Sequence, residues 1–141
     1  MPRKIQQYDS DAISVTFEPA LCIHSARCLA ALPAVFDVQK RRWVSPENGD
    51  AGDVAAAVHG CPSGALKYTR LDAGPAEQPD EPTTARTVPN GPIYVRGDIT
   101  ITDGEDGEIR HVTRAALCRC GGSANKPFCD NTHRRNGFTA P

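Results

Sequence analysis

Six cysteines fall into two trios, Cys22, Cys28 and Cys61 followed by Cys118, Cys120 and Cys129, and nothing else in the 141-residue chain restricts its folding as much. A chain this short builds one domain or two very small ones, each with too little apolar material for a large core. Hydrophobic residues make up 39% and aromatic residues 6%, with 12 Gly and 12 Pro interrupting the elements, so part of the stability must come from cross-links or bound metal. Between the trios, Leu71 to Asn90 carries Pro75, Pro79, Pro82 and Pro89 among Asp72, Glu77, Asp80 and Glu81, with almost no large apolar residue. That is the composition of a linker, and it assigns each trio to its own site.

Whether the cysteines form bridges or ligate metal depends on the redox compartment. The first ten residues (MPRKIQQYDS) are polar, with no apolar run behind the basic residues, and no segment approaches the ~18 apolar residues of a membrane span. The expectation is a soluble, cytoplasmic protein with no membrane association, in which clustered thiols are reduced and serve as ligands. A net charge of −1 argues against nucleic acid as a partner through bulk charge. Locally the balance differs: between Arg110 and Pro141, six basic residues (Arg110, Arg114, Arg119, Lys126, Arg134, Arg135) face one acid, Asp130. Such an excess either favours an acidic partner or offsets an anionic metal centre.

In the first half, Ile13-Ser-Val-Thr-Phe17 alternates as a strand does, and Leu66-Lys-Tyr-Thr-Arg70 is expected to return beside it. Helical stretches are expected from Ala26 to Leu32 and from Asp53 to His59, the second bounded by Gly52 and Gly60. Trp43 and Phe36 are expected in the core. After the linker, Ile93-Tyr-Val95 and Ile99-Thr-Ile101 read as two strands joined by a turn at Gly97-Asp98, with another turn from Asp103 to Gly107. Pro127 suits the first position of a helix running through Cys129 and His133, which would place those two on one face. The fold class is therefore α+β.

The segment from Cys118 to His133 has the spacing C-x-C, eight residues, then C-x3-H. With Ser123, Pro127 and Asp130 in place, it resembles the CDGSH iron-sulfur domain of the mitoNEET-type proteins, whose pattern is C-x-C-x2-[ST]-x3-P-x-C-D-x2-H. Asn131 and Thr132 replace the Gly and Ser of the name sequence. The resemblance covers about 91–140 and implies a unit of short β-strands with a cluster-binding loop and a helix turn. It also implies a 2Fe-2S cluster held by Cys118, Cys120, Cys129 and His133. The chemistry is consistent: two irons bridged by two sulfides need four terminal ligands, and thiolate is the soft donor that iron-sulfur chemistry selects. A structural zinc site of three cysteines and one histidine is the alternative, and it would be colourless.

The first trio is spaced Cys22-Ile-His-Ser-Ala-Arg-Cys28, then Cys61-Pro62 at a distance, with Ser25 where a middle cysteine of the C-x2-C-x2-C run would stand. Residues 12–70 resemble a divergent single-cluster ferredoxin domain, which in bacteria is often joined to a CDGSH domain. A ferredoxin-like unit is thus expected over 12–70, a linker over 71–90 and the CDGSH unit over 91–140. Three cysteines suffice for a 3Fe-4S cluster; a 4Fe-4S cluster would take His24, Ser25 or an exogenous group as its fourth ligand, with His24 the better donor. His59 and His111 have no ligand spacing and are read as structural.

No nucleophile-base pairing, phosphate-binding loop or dinucleotide fingerprint stands out, so no enzymatic activity is expected. Two clusters with different ligand sets suit a one-electron carrier between redox partner proteins, a reductase and an acceptor enzyme. The alternative is a redox or pH sensor, or a cluster-transfer protein, that uses the His-ligated cluster as signal or cargo. The CDGSH resemblance also implies a homodimer as one expected assembly.

Overall fold

The computed structural model describes residues 4–141; Met1 to Arg3, part of the segment read for a leader, lie outside them. The chain divides into two compact units. The first runs to Cys61 and resumes over Ala65–Glu77, and the second comprises Pro62–Gly64 and Gln78–Pro141. No helix among the described residues is long and apolar enough to cross a membrane.

The first unit is a small α+β arrangement. Strands β1 (Gln6–Asp9) and β2 (Ile13–Phe17) form a hairpin, helix α1 spans Arg27–Ala31, helix α2 spans Ala51–His59, and β3 (Leu66–Arg70) completes an antiparallel sheet in the order β1-β2-β3. β2 and β3 pair as their alternation predicts, from Ile13 opposite Arg70 to Phe17 opposite Leu66. Ser14 departs from that alternation. It is buried because its hydroxyl donates to the Asp9 carboxylate across the hairpin at 2.5 Å.

α2 starts two residues before the expected Asp53, since the Asp50 carboxylate accepts the Gly52 N–H at 3.2 Å and caps the helix. Its buried residues Ala51, Val54, Ala55 and Val58 recur at helical spacing. They meet Ile13 and Val15 of the sheet and Val35, Phe36 and Val44 of the intervening loop. Trp43 is half-buried beside this core, edge-on to Phe17 at 4.8 Å between ring centres. The helix ends at Gly60, and the Cys61 N–H still bonds the Val58 carbonyl at 3.0 Å, so helix geometry fixes where Cys61 emerges.

The second unit is built on the antiparallel sheet β4 (Thr84–Thr87), β5 (Ile93–Thr102) and β6 (Glu108–Leu117), in that order. Two expectations are corrected here. Residues 84–87, within the segment read as linker, form an edge strand paired with β5, exposed along its whole length. Ile93 to Ile101 is one strand rather than a hairpin: Gly97 and Asp98 are a β-bulge, two residues opposite the single Thr113 of β6. Gly97 sits at φ +147°, and a Cβ there would stand 2.7 Å from Thr83 Cβ, so only glycine fits the bulge. The turn from Asp103 to Gly107 is as expected, with the Asp103 carboxylate accepting the N–H groups of Glu105 (2.8 Å) and Gly107 (2.9 Å).

Candidate metal centres

β6 delivers Cys118 at its end, and the chain returns to the same strand ten residues later. The Cys118 N–H bonds the Pro127 carbonyl and the Cys129 N–H bonds the Ala116 carbonyl, both at 2.8 Å, with Leu117 bridged to Phe128. Cys129 is therefore held in an extended segment against β6, which corrects the expected helix from Pro127. The only helical turn in this region is the 3-10 turn Thr132–Arg134, and the backbone enters it through Asn131 at φ +69°. That left-handed position explains why Asn stands where the pattern has Gly, because Asn tolerates such a φ better than most residues.

The fixed polar residues of the motif tie this loop together. Buried Ser123 donates to the Phe128 carbonyl at 2.5 Å and accepts the Asn125 N–H at 2.9 Å. The Asp130 carboxylate accepts the Ala124 N–H (2.9 Å), the Thr132 N–H (3.0 Å) and the Thr132 hydroxyl (2.5 Å). Those donors hold its carboxyl down to about 2, the Thr132 hydroxyl contributing most.

The four predicted ligands come as two pairs. The Cys118 and Cys120 sulfurs are 4.0 Å apart, and the Cys129 sulfur is 3.6 Å from His133 Nδ1. A tetrahedral metal with bonds of ~2.3 Å to sulfur and ~2.0 Å to nitrogen separates two sulfurs by about 3.8 Å, and a sulfur from a nitrogen by about 3.5 Å. Each pair thus has the spacing of two ligands on one metal atom. Among the described residues, no three His, Cys, Asp or Glu side chains gather as a group able to hold a single metal ion.

N–H donors surround the sulfurs. Gly122 N–H points at Cys120 Sγ (3.3 Å) and Asn131 N–H at Cys129 Sγ (3.4 Å). The Gly122 donor lowers the Cys120 thiol below its ordinary value, with smaller help from the Asn136 side chain and Cys118. Burial pushes the Cys129 thiol up. Burial, then the nearby Arg134 charge, lowers His133, which keeps its imidazole neutral as a ligand must be. Soft donors, a neutral imidazole and amide N–H groups directed at sulfur fit an iron-sulfur cluster.

In the first unit, Cys22 follows a 3-10 turn (Pro19–Leu21), Cys28 lies in α1 and Cys61 follows α2. Burial raises the Cys22 and Cys28 thiols, and Cys61 lies within electrostatic reach of both and raises them further. The backbone N–H groups of His24 and Leu29 offset part of that rise at Cys22 and Cys28 respectively. The loop between them is tightly curled, with His24 at φ +58° and Ala26 at φ +60°. His24 is exposed, its Nδ1 4.0 Å from the Cys22 sulfur, near the trio but outside its buried side. Three thiols are the donor type an iron-sulfur cluster takes, and His24 stands beside Cys22 as the candidate fourth ligand.

Two functional side chains escape the motif. Asn136 orients its carboxamide by accepting the Phe138 N–H at 3.1 Å and helps lower the Cys120 thiol. Arg119, between the two cysteines of the C-x-C, donates to the carbonyls of Gly91 (2.8 Å), Val88 (2.8 Å) and Pro141 (3.1 Å) and lies over the Phe138 ring. No spacing rule marks either residue, since both act on atoms brought together by folding. His59 and His111 have carboxylate partners, Glu77 at 2.8 Å and Asp98 respectively.

Residues 8–71 match the family described as divergent 4Fe-4S mono-cluster, and residues 90–134 match the iron-binding zinc finger of CDGSH type. The chain is similar to the uncharacterized protein YjdI of Escherichia coli strain K12 and to the protein of the same name in Escherichia coli O157:H7. Each is 36% identical over 61 residues, which make up 43% of this chain and 80% of the relative.

Proposed function

Since the chain belongs to the divergent 4Fe-4S mono-cluster family and carries a CDGSH-type iron-binding domain behind it, we propose that it is a two-cluster protein working in one-electron transfer. Domains of these kinds bind iron-sulfur clusters and act in electron transfer or cluster handling rather than catalysis. The observation that carries the reading is the grouping of Cys118 with Cys120 and of Cys129 with His133, each pair spaced as two ligands of one iron. That grouping favours 2Fe-2S over a mononuclear zinc ion, which would need all four donors around one point.

A bound cluster supplies a reversible one-electron change. The protein's part is to hold and tune it. Ser123 and Asp130 lock the loop, while Gly122 and Asn131 direct N–H groups at the sulfurs, and the Asn136 amide acts on Cys120 in the same direction, so all three would favour the more negative, reduced state. One imidazole in place of a thiolate removes negative charge, setting the potential above an all-cysteine ferredoxin and below a two-histidine centre. In the first unit, Cys22, Cys28 and Cys61 hold a 3Fe-4S cluster, or a 4Fe-4S cluster completed by His24. Two ligand sets give two potentials, as passage from a reductase to an acceptor requires.

The test is iron and sulfide analysis with EPR on anaerobically purified protein. The expected content is about five or six irons per chain, two from the second unit and the rest from the first. Cys28→Ser removes only the first unit's share, and a colourless, zinc-containing protein sinks the reading. A second reading, cluster transfer or pH sensing, is favoured by the half-exposed Cys118, Cys120 and His133. Rapid transfer to an apo-ferredoxin with negligible electron exchange selects it.

A further inference from the structure

Charge in the second unit is sorted along the β5–β6 hairpin. The turn and its flank carry four exposed acids, Asp103, Glu105, Asp106 and Glu108. The strands are ten residues each, so about 30 Å separates that turn from the end where β6 delivers Cys118. Beyond that end the exposed charges are all cationic: Lys126, Arg134 and Arg135. The acid of the loop, Asp130, directs its carboxylate at Ala124 and Thr132, and Arg135 beside it donates to the Thr132 hydroxyl at 3.3 Å while staying exposed. The other basic residues counted in the sequence are occupied elsewhere: Arg119 on three carbonyls, Arg110 over the Phe128 ring, and Arg114 buried.

We propose that the face formed by Lys126, Arg134 and Arg135 beside His133 docks an acidic protein, one that surrounds its own electron-exchanging group with carboxylates. The inference rests on reading the second site as a redox centre. Opposite charge attracts such a partner to the loop, and the acidic hairpin turn repels it from the far end, so encounter is oriented before contact. A nucleic acid fits less well. The cations are few, the chain's net charge is −1, and the Phe128 and Phe138 rings each already have an arginine over them, leaving neither ring face free for base stacking on that side.

The test uses the full cluster-loaded chain, reduced anaerobically and mixed with one of two one-electron oxidants. Each takes a single electron from the protein, with no bond made or broken. Anionic hexacyanoferrate(III) should react faster than cationic tris(phenanthroline)cobalt(III) relative to their rates with a neutral reductant. Its rate should fall about fivefold or more as ionic strength rises from about 10 to about 200 mM, the opposite of what a net charge of −1 dictates. In K126E/R134E/R135E that salt dependence should reverse. A rate indifferent to salt, or a triple variant that behaves as wild type, overturns the docking face alone. Failure of either oxidant to draw an electron overturns the electron-carrier reading itself. Tighter binding of a short DNA duplex or phosphatidylserine vesicles than of an acidic plant-type ferredoxin, at about 0.15 M salt, overturns the assignment to a protein partner.

Discussion

The side-chain amide of Asn136 acts on the Cys120 thiol and lowers it, and its oxygen is held by the Phe138 N–H at 3.1 Å, which leaves the amide nitrogen free to turn to the sulfur. Removing this donor takes away stabilisation that grows when the centre gains an electron. Asn136→Ala should therefore lower the second unit's potential by about 20–60 mV, one hydrogen bond of about 0.5–1.5 kcal/mol expressed for a single electron. Asn136→Asp, which places a carboxylate there, should lower it further. Film voltammetry reads both, and an unchanged or raised potential in the Ala variant would remove Asn136 from the tuning groups.

Asp130 gives the same loop an acid limit. Its carboxyl titrates at about 2 in the folded chain, below the usual value near 4, because the Thr132 and Ala124 donors favour the ionised form. A group depressed in this way contributes stability above about pH 4 and loses it as pH falls from about 4 toward 2. Asp130→Asn should flatten that part of the acid unfolding curve followed by circular dichroism. An unaltered slope there would refute the assignment.

Thiol chemistry of the cluster-free protein should follow the same electrostatics. Cys120 is lowered by the Gly122 donor, whereas Cys129 is 3% exposed and its thiol is raised by burial. Iodoacetamide near neutral pH should therefore label Cys120 before Cys129, by roughly tenfold in rate or more. Peptide mapping by mass spectrometry checks the order.

In the first unit, Gly49 is the position where one added carbon matters most. A Cβ there would stand 2.8 Å from Val35 Cγ2 and 3.3 Å from Val54 Cγ2, and both valines are buried. Gly49→Ala should cost about 1–3 kcal/mol of stability through overpacking. Gly104→Ala, with open space around it, should stay within about 0.5 kcal/mol. Equal melting temperatures for the two variants would contradict this packing.

The parts of the fold visible in the sequence are those where the local pattern and the tertiary outcome agree. β2 and β3 alternate and α2 has a buried face, so periodicity locates them; the ligand spacings survive folding because each pair sits within five residues. The edges do not announce themselves. β1 reads Gln-Gln-Tyr-Asp and β4 reads Thr-Ala-Arg-Thr, polar strands that pair on one side only and so need no apolar stripe. Gly97-Asp98 has the composition of a turn, and only the register of β6 distinguishes a bulge from a reversal. Pro127 suggests a helix start because propensity is local, whereas Cys129 is held extended by its bond to Ala116.

The return of Pro127–Cys129 to the end of β6 reaches beyond the assembly of the site. Cys118 and Cys129, one from each ligand pair, are anchored through their own backbone N–H groups to neighbouring positions of one antiparallel ladder. A cluster held by these donors would therefore change charge against a frame already fixed. Little nuclear rearrangement would then accompany that change, and a small reorganisation energy is the property that would let a carrier exchange electrons quickly with a partner held only briefly.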